Sequence, residues 1–500
     1  MKRGDIAASV ARNTGSMLIA QIITWASSFV LMLFLPRYLG SAGYGRLYLA
    51  MSVAMMFQML IEFGGPYLIA KEVSREPNST PSLLANSIAI RAGLWVVSIV
   101  SMILLCLAAG YPAAVTVLIL ILGTSKLWEG AGRVLAGCFQ GFEMMQYPAR
   151  GAIVERLSVA LCGVTALLLG AGPVTIAIIM ASGSLLNAGV QLGYIPRLVP
   201  RIPAFRWEDC AGLIRAGFPY FLWSIFAVVY YRVDAVMLSL MAPESVVGWY
   251  GAAYRLFDVL MFLPSIFSTA VFPVLSRLWK DGPDSISATT RKSLEVILLA
   301  GIPISIGVYA GAEQIIGFLF GLKEYAPSVV LLRIFASGLL LVYIDFILIS
   351  ALVASDRHRQ WSTAAFVAML VNAVLNVLMI PYAQTALGNG GIGSAIATLM
   401  TELLVMCMAL FLMPDGLLER ADAGVSLKGI VAGAFMALSI YAMDFAGVPL
   451  LLRLAAGGAV YAFALLALKA VPESDRAIIR TLFSGTTLRH TFAADSGGQP

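Results

Sequence analysis

Charge is scarce in this chain. Only 12% of its 500 residues are charged, and it holds two histidines and five cysteines. The cysteines (Cys106, Cys138, Cys162, Cys210 and Cys407) have no CxxC spacing and fall in hydrophobic runs or cytoplasmic loops, so neither a disulfide framework nor a metal centre is expected. The histidines, His358 and His490, lie outside the hydrophobic runs, and no positioned acid or base points to an enzyme. No glycine-rich loop followed by lysine is there to cradle a nucleotide, so no cofactor is implied and any energy must come from a gradient, the membrane potential or consumption of the product. Long outer loops are missing too: the longest runs from Gln314 to Ala326, which leaves no outer domain to bind or process anything.

Apolar surface is what the chain has in excess. It is 60% hydrophobic with a mean hydropathy of +0.89, and its charged fraction is half the roughly 25% of an ordinary soluble domain. A soluble core cannot absorb that much apolar surface, whereas a bilayer can, at about 20 residues per crossing. Runs at 15–35, 47–70, 86–109, 113–136, 152–170, 174–196, 215–241, 249–273, 293–313, 327–354, 361–382, 391–413, 429–446 and 450–470 predict an all-α, polytopic membrane protein of about fourteen transmembrane helices.

Lysine and arginine test that count. Segments on the side of the termini hold twenty of them, and the opposite loops hold only Arg37, Arg46 and Lys323. The asymmetry places both termini in the cytoplasm, of a bacterial inner membrane once the resemblance below is included. The formal net charge of +6 then reflects topology and attraction to membrane lipids and gives no reason to expect nucleic acid. The opening MKRGDIAASVARNTG, without a small-residue cleavage site, predicts a retained first helix.

A weak repeat appears at an offset of 203: LGSAGYGRLYLA (39–50) lies over the stretch around 241–252, placing Gly45 on Gly248. Six spans per unit make two six-helix lobes in parallel repeat, with two extra C-terminal helices. The expected organisation is a cytoplasmic segment 1–14, an N-lobe 15–197, a cytoplasmic linker 198–214, a C-lobe 215–413, two spans within 429–470 and a cytoplasmic tail 471–500. Glycine spacings such as Gly137/Gly141 and Gly189/Gly193 suit close helix packing.

Charges deep in a bilayer cost roughly 2.5–3.5 kcal/mol on insertion scales, so those retained should face protein or a wet cavity. Arg91, Arg156, Arg215, Arg333, Arg453, Asp444 and Lys469 sit near span ends, where they can snorkel. Lys126, Glu129 and Arg133 share one face of the fourth span; Arg232 and Asp234 lie on the seventh, Arg255 and Asp258 on the eighth. Glu62, Asp345 and Glu402 read as isolated acids. Lys126, Arg133, Arg232 and Arg255 form a candidate cationic cavity for a diphosphate or acidic sugar, because a guanidinium grips phosphate oxygens bidentately. The competing reading pairs Arg255 with Asp258 and Glu129 with Arg133 within their own helices. The acids Glu62, Glu129, Asp234, Asp258, Asp345 and Glu402 are candidates for coupling to a proton or cation. Tyr230, Tyr231 and Tyr254 are candidates for stacking on sugar rings, and Trp249 and Tyr250 read as interfacial belt residues.

The stretch 219–278, with RVDAVMLS, GWYGAAYR and FP-VLSRL, resembles the seventh and eighth helices of the polysaccharide-export or O-antigen (Wzx-type) flippases of the MATE-like superfamily. PRYLGSAGYGRLYLA (36–50) and EFGGPYLIAKEVSRE (62–76) agree, with Glu62 where the family commonly has aspartate. The resemblance implies alternating access, in which a polyprenyl-diphosphate-linked glycan crosses the cavity while its tail stays in lipid. It serves surface polysaccharide synthesis, such as lipopolysaccharide or exopolysaccharide, beside glycosyltransferases and a polymerase. Arg232 and Arg255 match the implicated arginines, and Lys126 or Arg133 match less closely. A lipid II flippase and a cation-coupled multidrug antiporter are the alternatives, and the cationic cavity disfavours the latter.

Overall fold

The structure, a computed structural model, describes residues 3–62, 65–197, 232–418 and 423–470. Their backbone is mostly helical, with no strand among the described residues. In hydrocarbon every N–H and C=O must find its partner within the segment, and the helix does this without an edge.

In chain order the helices are α1 (Arg3–Ile61), α2 (Gly65–Arg75), α3 (Thr80–Ala108), α4 (Ala113–Gly141), α5 (Gln146–Leu168), α6 (Pro173–Tyr194), the described part of α7 (232–241), α8 (Glu244–Leu260), α9 (Phe262–Leu278), α10 (Pro283–Leu319), α11 (Leu322–Ala354), α12 (His358–Leu387), α13 (Gly390–Phe411), α14 (Ala423–Phe445) and α15 (Leu450–Ala467). Twelve helices among the described residues are long and apolar enough to cross a membrane. The first supplies two of the expected spans. It bends at Gly40, whose φ of 68° and ψ of 171° are closed to most side chains, so the predicted first outer loop is a kink. The second span stops at Ile61 and restarts as α2, short of the continuous run to residue 70. Most of the seventh span, the linker 198–214, the tail 471–500, and Arg215, Tyr230 and Tyr231 lie outside the described residues.

By packing, the described chain forms two compact units: one from Met1–Leu260, Ala312–Phe335 and Arg359–Met408, the other from Met261–Gly311, Ala336–His358 and Ala409–Pro500. In the first, Ile69, Val73, Val134, Leu135, Cys138 and Phe139 are fully enclosed where α2 meets α4. In the second, Ile302, Met436, Ile440 and Tyr461 join α10, α14 and α15, and the Tyr461 hydroxyl donates to the Leu299 carbonyl at 2.9 Å.

Two arginines expected to snorkel are enclosed. Arg453 is buried and ion-paired with Asp444, and Arg91, 3% exposed, lies against Gly130 of α4. The helix of Arg91 begins at Thr80, six residues before its hydrophobic run, which sets this side chain deeper than the run boundary implies. The small-residue spacings also divide: Gly141 abuts Val73, whereas Gly189 and Gly193 face open space.

Candidate functional site

The site belongs to the first unit and starts from the crossing of α1 with α8. A methyl group at Gly45 would sit 2.0 Å from the Glu244 carbonyl oxygen, and one at Gly248 would sit 2.0 Å from the Ser41 carbonyl oxygen. Ser41 and Glu244 are separated by the same 203 positions as Gly45 and Gly248. Each half of the repeat therefore makes the other's contact, as two elements related by a twofold axis do. Farther along, the Tyr48 ring occupies the space that a side chain at Gly251 would need.

Both helices present N-termini here, α8 at Glu244 and the second half of α1 at Ser41, so two positive dipole ends approach each other. Two carboxylates offset this. Glu324 Oε1 accepts the Ser41 N–H at 2.5 Å, and Glu244, in the first turn of α8, pairs with Arg46 at 2.6 Å. Trp249 Nε1 donates to the Glu324 carbonyl at 2.9 Å, and the Tyr325 hydroxyl donates to the Pro36 carbonyl at 3.0 Å. Tyr111 and Ser239 meet oxygen to oxygen at 2.6 Å; burial pushes the Tyr111 phenol up, opposed by this hydrogen bond. Packing and these polar bonds hold the two helices together at this end of the first unit, beside a cavity lined by Gly45, Arg46, Tyr111, Ser239 and Glu244.

The intramembrane charges pair differently from the helical-spacing expectation. Asp258 bonds Arg232 of the preceding helix at 3.0 Å, and that guanidinium lies 5.5 Å over the Tyr254 ring. Glu129 takes Lys126, three residues back, at 2.7 Å. Arg133 reaches α1 and grips Glu62 through Nε at 2.9 Å and Nη1 at 3.0 Å, so Glu62 is not an isolated acid. Three of the four predicted cations are thereby neutralised. Arg255 is the exception: among the described residues it has no ion-pair partner, and Asp258, three residues on, is held by Arg232.

Arg255 lines a cavity with Tyr44, Ser27 and Ser28 of α1 and Arg156 of α5. Sequence reasoning missed Arg156, since it placed the span's start at 152; the helix begins at Gln146, so Arg156 lies ten residues, or about 15 Å, along the axis. The adjacent acidic-basic pair Glu155–Arg156, just inside the start of a hydrophobic run, was the available signal. Tyr44, Ser27 and Ser28 carried no signal of their own.

Asp234 is enclosed at 3% exposure and held by neutral donors: Asn376 Nδ2 at 3.1 Å on Oδ1, and the Thr398 hydroxyl at 2.9 Å and the Tyr250 hydroxyl at 3.2 Å on Oδ2. Asn376 Oδ1 is buried with no hydrogen-bond partner among the described residues. Tyr250 is wholly enclosed by Tyr254 and Phe335 and is not a belt residue. Glu402, on α13, is 5% exposed, and Asp345, in the second unit, is 2% exposed. No cluster of metal-binding side chains occurs among the described residues.

A family model described as polysaccharide biosynthesis protein matches residues 10–279, and one described as lipid II flippase MurJ matches residues 158–452. The probable low-salt glycan biosynthesis flippase Agl15 of Haloferax volcanii is 26% identical over 180 residues, 36% of each chain. The probable flippase AglR of the same organism is 26% identical over 251 residues, 48% of this chain and 50% of that one. The probable lipid II flippase MurJ of Vibrio cholerae is 27% identical over 220 residues, 41% of this chain and 40% of that one. The matched part thus spans half or less of these relatives' length. A solved structure of lipid II flippase MurJ in an inward closed conformation superposes with a TM-score of 0.73 at 16% identity, over 93% of this chain and 99% of that one. An inward-facing multidrug MATE family transporter of the MOP superfamily gives 0.65 at 13% identity, over 78% and 94%. Both share the fold.

Proposed function

Because the chain belongs to the polysaccharide biosynthesis protein family, the Wzx-type branch of the MATE-like superfamily, we propose that it carries a polyprenyl-diphosphate-linked glycan across the bacterial inner membrane by alternating access. The observation that carries this reading is Arg255, a guanidinium with no ion-pair partner among the described residues that faces a cavity. Leaving a cation unpaired within the membrane is costly, and the cost is offset where an anionic head group periodically occupies the cavity.

With both termini in the cytoplasm, the Gly45–Gly248 crossing lies at the outer face. On this reading the crossing serves as the outer seal, and Arg255 and Arg156 take the head group from within. Among the six candidate acids, Asp234 best fits a coupling role. Among the described residues no cation contacts its carboxylate, which is held instead by the neutral donors Asn376, Thr398 and Tyr250.

Replacing Arg255 by alanine should abolish surface polysaccharide export with normal membrane insertion, while lysine retains part of it. Wild-type polysaccharide in the alanine strain removes the assignment. The match to the lipid II flippase model over 158–452 favours a second reading, transport of a peptidoglycan precursor. Rescue of a strain depleted of its lipid II flippase separates the two.

A further inference from the structure

We propose that Arg156 is the second cation of the head-group site and that Glu155, Asn187 and Gln191 form a relay that positions it. The inference rests on the cavity being the head-group site and narrows the ligand to a diphosphate diester.

Lys126, Arg133 and Arg232 each spend their charge on a carboxylate within 3.0 Å. Arg156 is paired more loosely: its Nη2 stands 3.8 Å from Glu155 Oε1, an ion pair beyond hydrogen-bond reach, and its side chain is 46% exposed. Glu155 therefore steers the guanidinium without occupying its N–H donors.

Glu155 is itself fixed. Its side chain is 10% exposed, and Oε2 accepts Asn187 Nδ2 at 2.7 Å. Asn187 Oδ1 in turn accepts Gln191 Nε2 at 2.8 Å, and Gln191 is 2% exposed. A methyl group at Gly151 would lie 2.3 Å from Asn187 Oδ1, so the backbone of α5 closes over the relay. Such a chain of buried, mutually bonded groups holds one conformation and spares the ligand the cost of ordering the arginine.

One guanidinium thus comes from α5 and one from α8, facing a common cavity. A polyprenyl-diphosphate-sugar carries one negative charge on each of its two phosphoryl groups, and each planar fork can take one phosphoryl group. A monophosphate-linked sugar offers a single charge and leaves one guanidinium unsatisfied. The pair is therefore a discriminator between the two carrier classes.

The test uses the full-length protein in nanodiscs and two probes, farnesyl-diphospho-N-acetylglucosamine and farnesyl-phospho-N-acetylglucosamine. Arg156→Gln should weaken the diphosphate probe about tenfold or more, as expected for losing charge-assisted hydrogen bonds, and change the monophosphate probe far less. Arg156→Lys should recover part of the preference. Glu155→Gln should lower the same ratio without abolishing binding, and Asn187→Ala, which keeps the carboxylate, repeats that test if Glu155→Gln does not fold. A diphosphate preference that survives Arg156→Gln while Arg255→Gln abolishes binding overturns the two-cation site and leaves the head-group cavity standing. Unchanged ratios in both relay variants overturn the positioning role. Binding of both probes unaffected by either arginine change overturns the cavity assignment itself.

Discussion

Substituting Gly248 by alanine places a methyl carbon 2.0 Å from the Ser41 carbonyl oxygen. Carbon and oxygen at such a crossing settle near 3.3 Å, so α1 and α8 must part by about 1.3 Å there. No flexible side chain can yield, because the obstacle is backbone. Overpacking of this kind costs about 1–3 kcal/mol, and if that cost falls on the closed form alone, the open-to-closed ratio rises about 5- to 150-fold. The assay is the reactivity of a single cysteine, Ser52→Cys in a background without the five native cysteines, toward a membrane-impermeant maleimide applied outside intact cells. Ser52 is 1% exposed and lies two turns beyond Gly45. Labelling should rise at least fivefold in Gly248→Ala and similarly in Gly45→Ala. The double variant should add little, since the first methyl has already parted the helices. Gly189→Ala, with nothing within 4 Å of the new carbon, is the control and should match the parent. Parental labelling rates in both Gly45→Ala and Gly248→Ala would refute the crossing as the outer seal.

Other consequences are smaller or more local. Glu324→Gln removes the charge that caps Ser41 and should raise the same labelling by up to about fivefold, the worth of a helix-terminus charge. Asp258→Asn should lower stability by about 3 kcal/mol, since it strands the partly buried Arg232, and adding Arg232→Gln should recover most of it, read as thermal unfolding in detergent. Asp234→Asn should leave probe binding intact and make transport insensitive to collapse of the ion gradients; transport that still follows a gradient would return the coupling role to another acid.

The fold was largely legible because hydropathy and the lysine and arginine asymmetry report on whole spans and average over local error. Even a weak repeat sufficed to align Gly45 with Gly248, two residues whose helices touch. Side-chain pairing was not legible, for a physical reason. Asp258 stands three residues after Arg255, a spacing that brings two side chains together on an isolated helix, yet Arg232 of the preceding helix reaches it as well, and the bundle settles the competition for Arg232. Glu62 seemed isolated because its partner Arg133 is 71 positions away. The start of α5 was not legible because hydropathy marks where a run becomes apolar, and the helix begins six residues earlier, in the polar QYPARG.

The same competition bears on why Arg255 has no ion-pair partner among the described residues. If Arg232 were lost, Asp258 would become available to Arg255 one turn away, and the cavity would lose that guanidinium to an intrahelical pair. Arg232 therefore protects Arg255 by occupying the acid that would otherwise neutralise it. Arg232→Gln should accordingly weaken diphosphate-probe binding although the Arg232–Asp258 pair itself touches no ligand, and Arg232→Gln combined with Asp258→Asn should restore it. Binding that stays weak in the double variant would mean that Arg232 contacts the head group directly, and binding unchanged in the single variant would mean that Asp258 cannot reach Arg255.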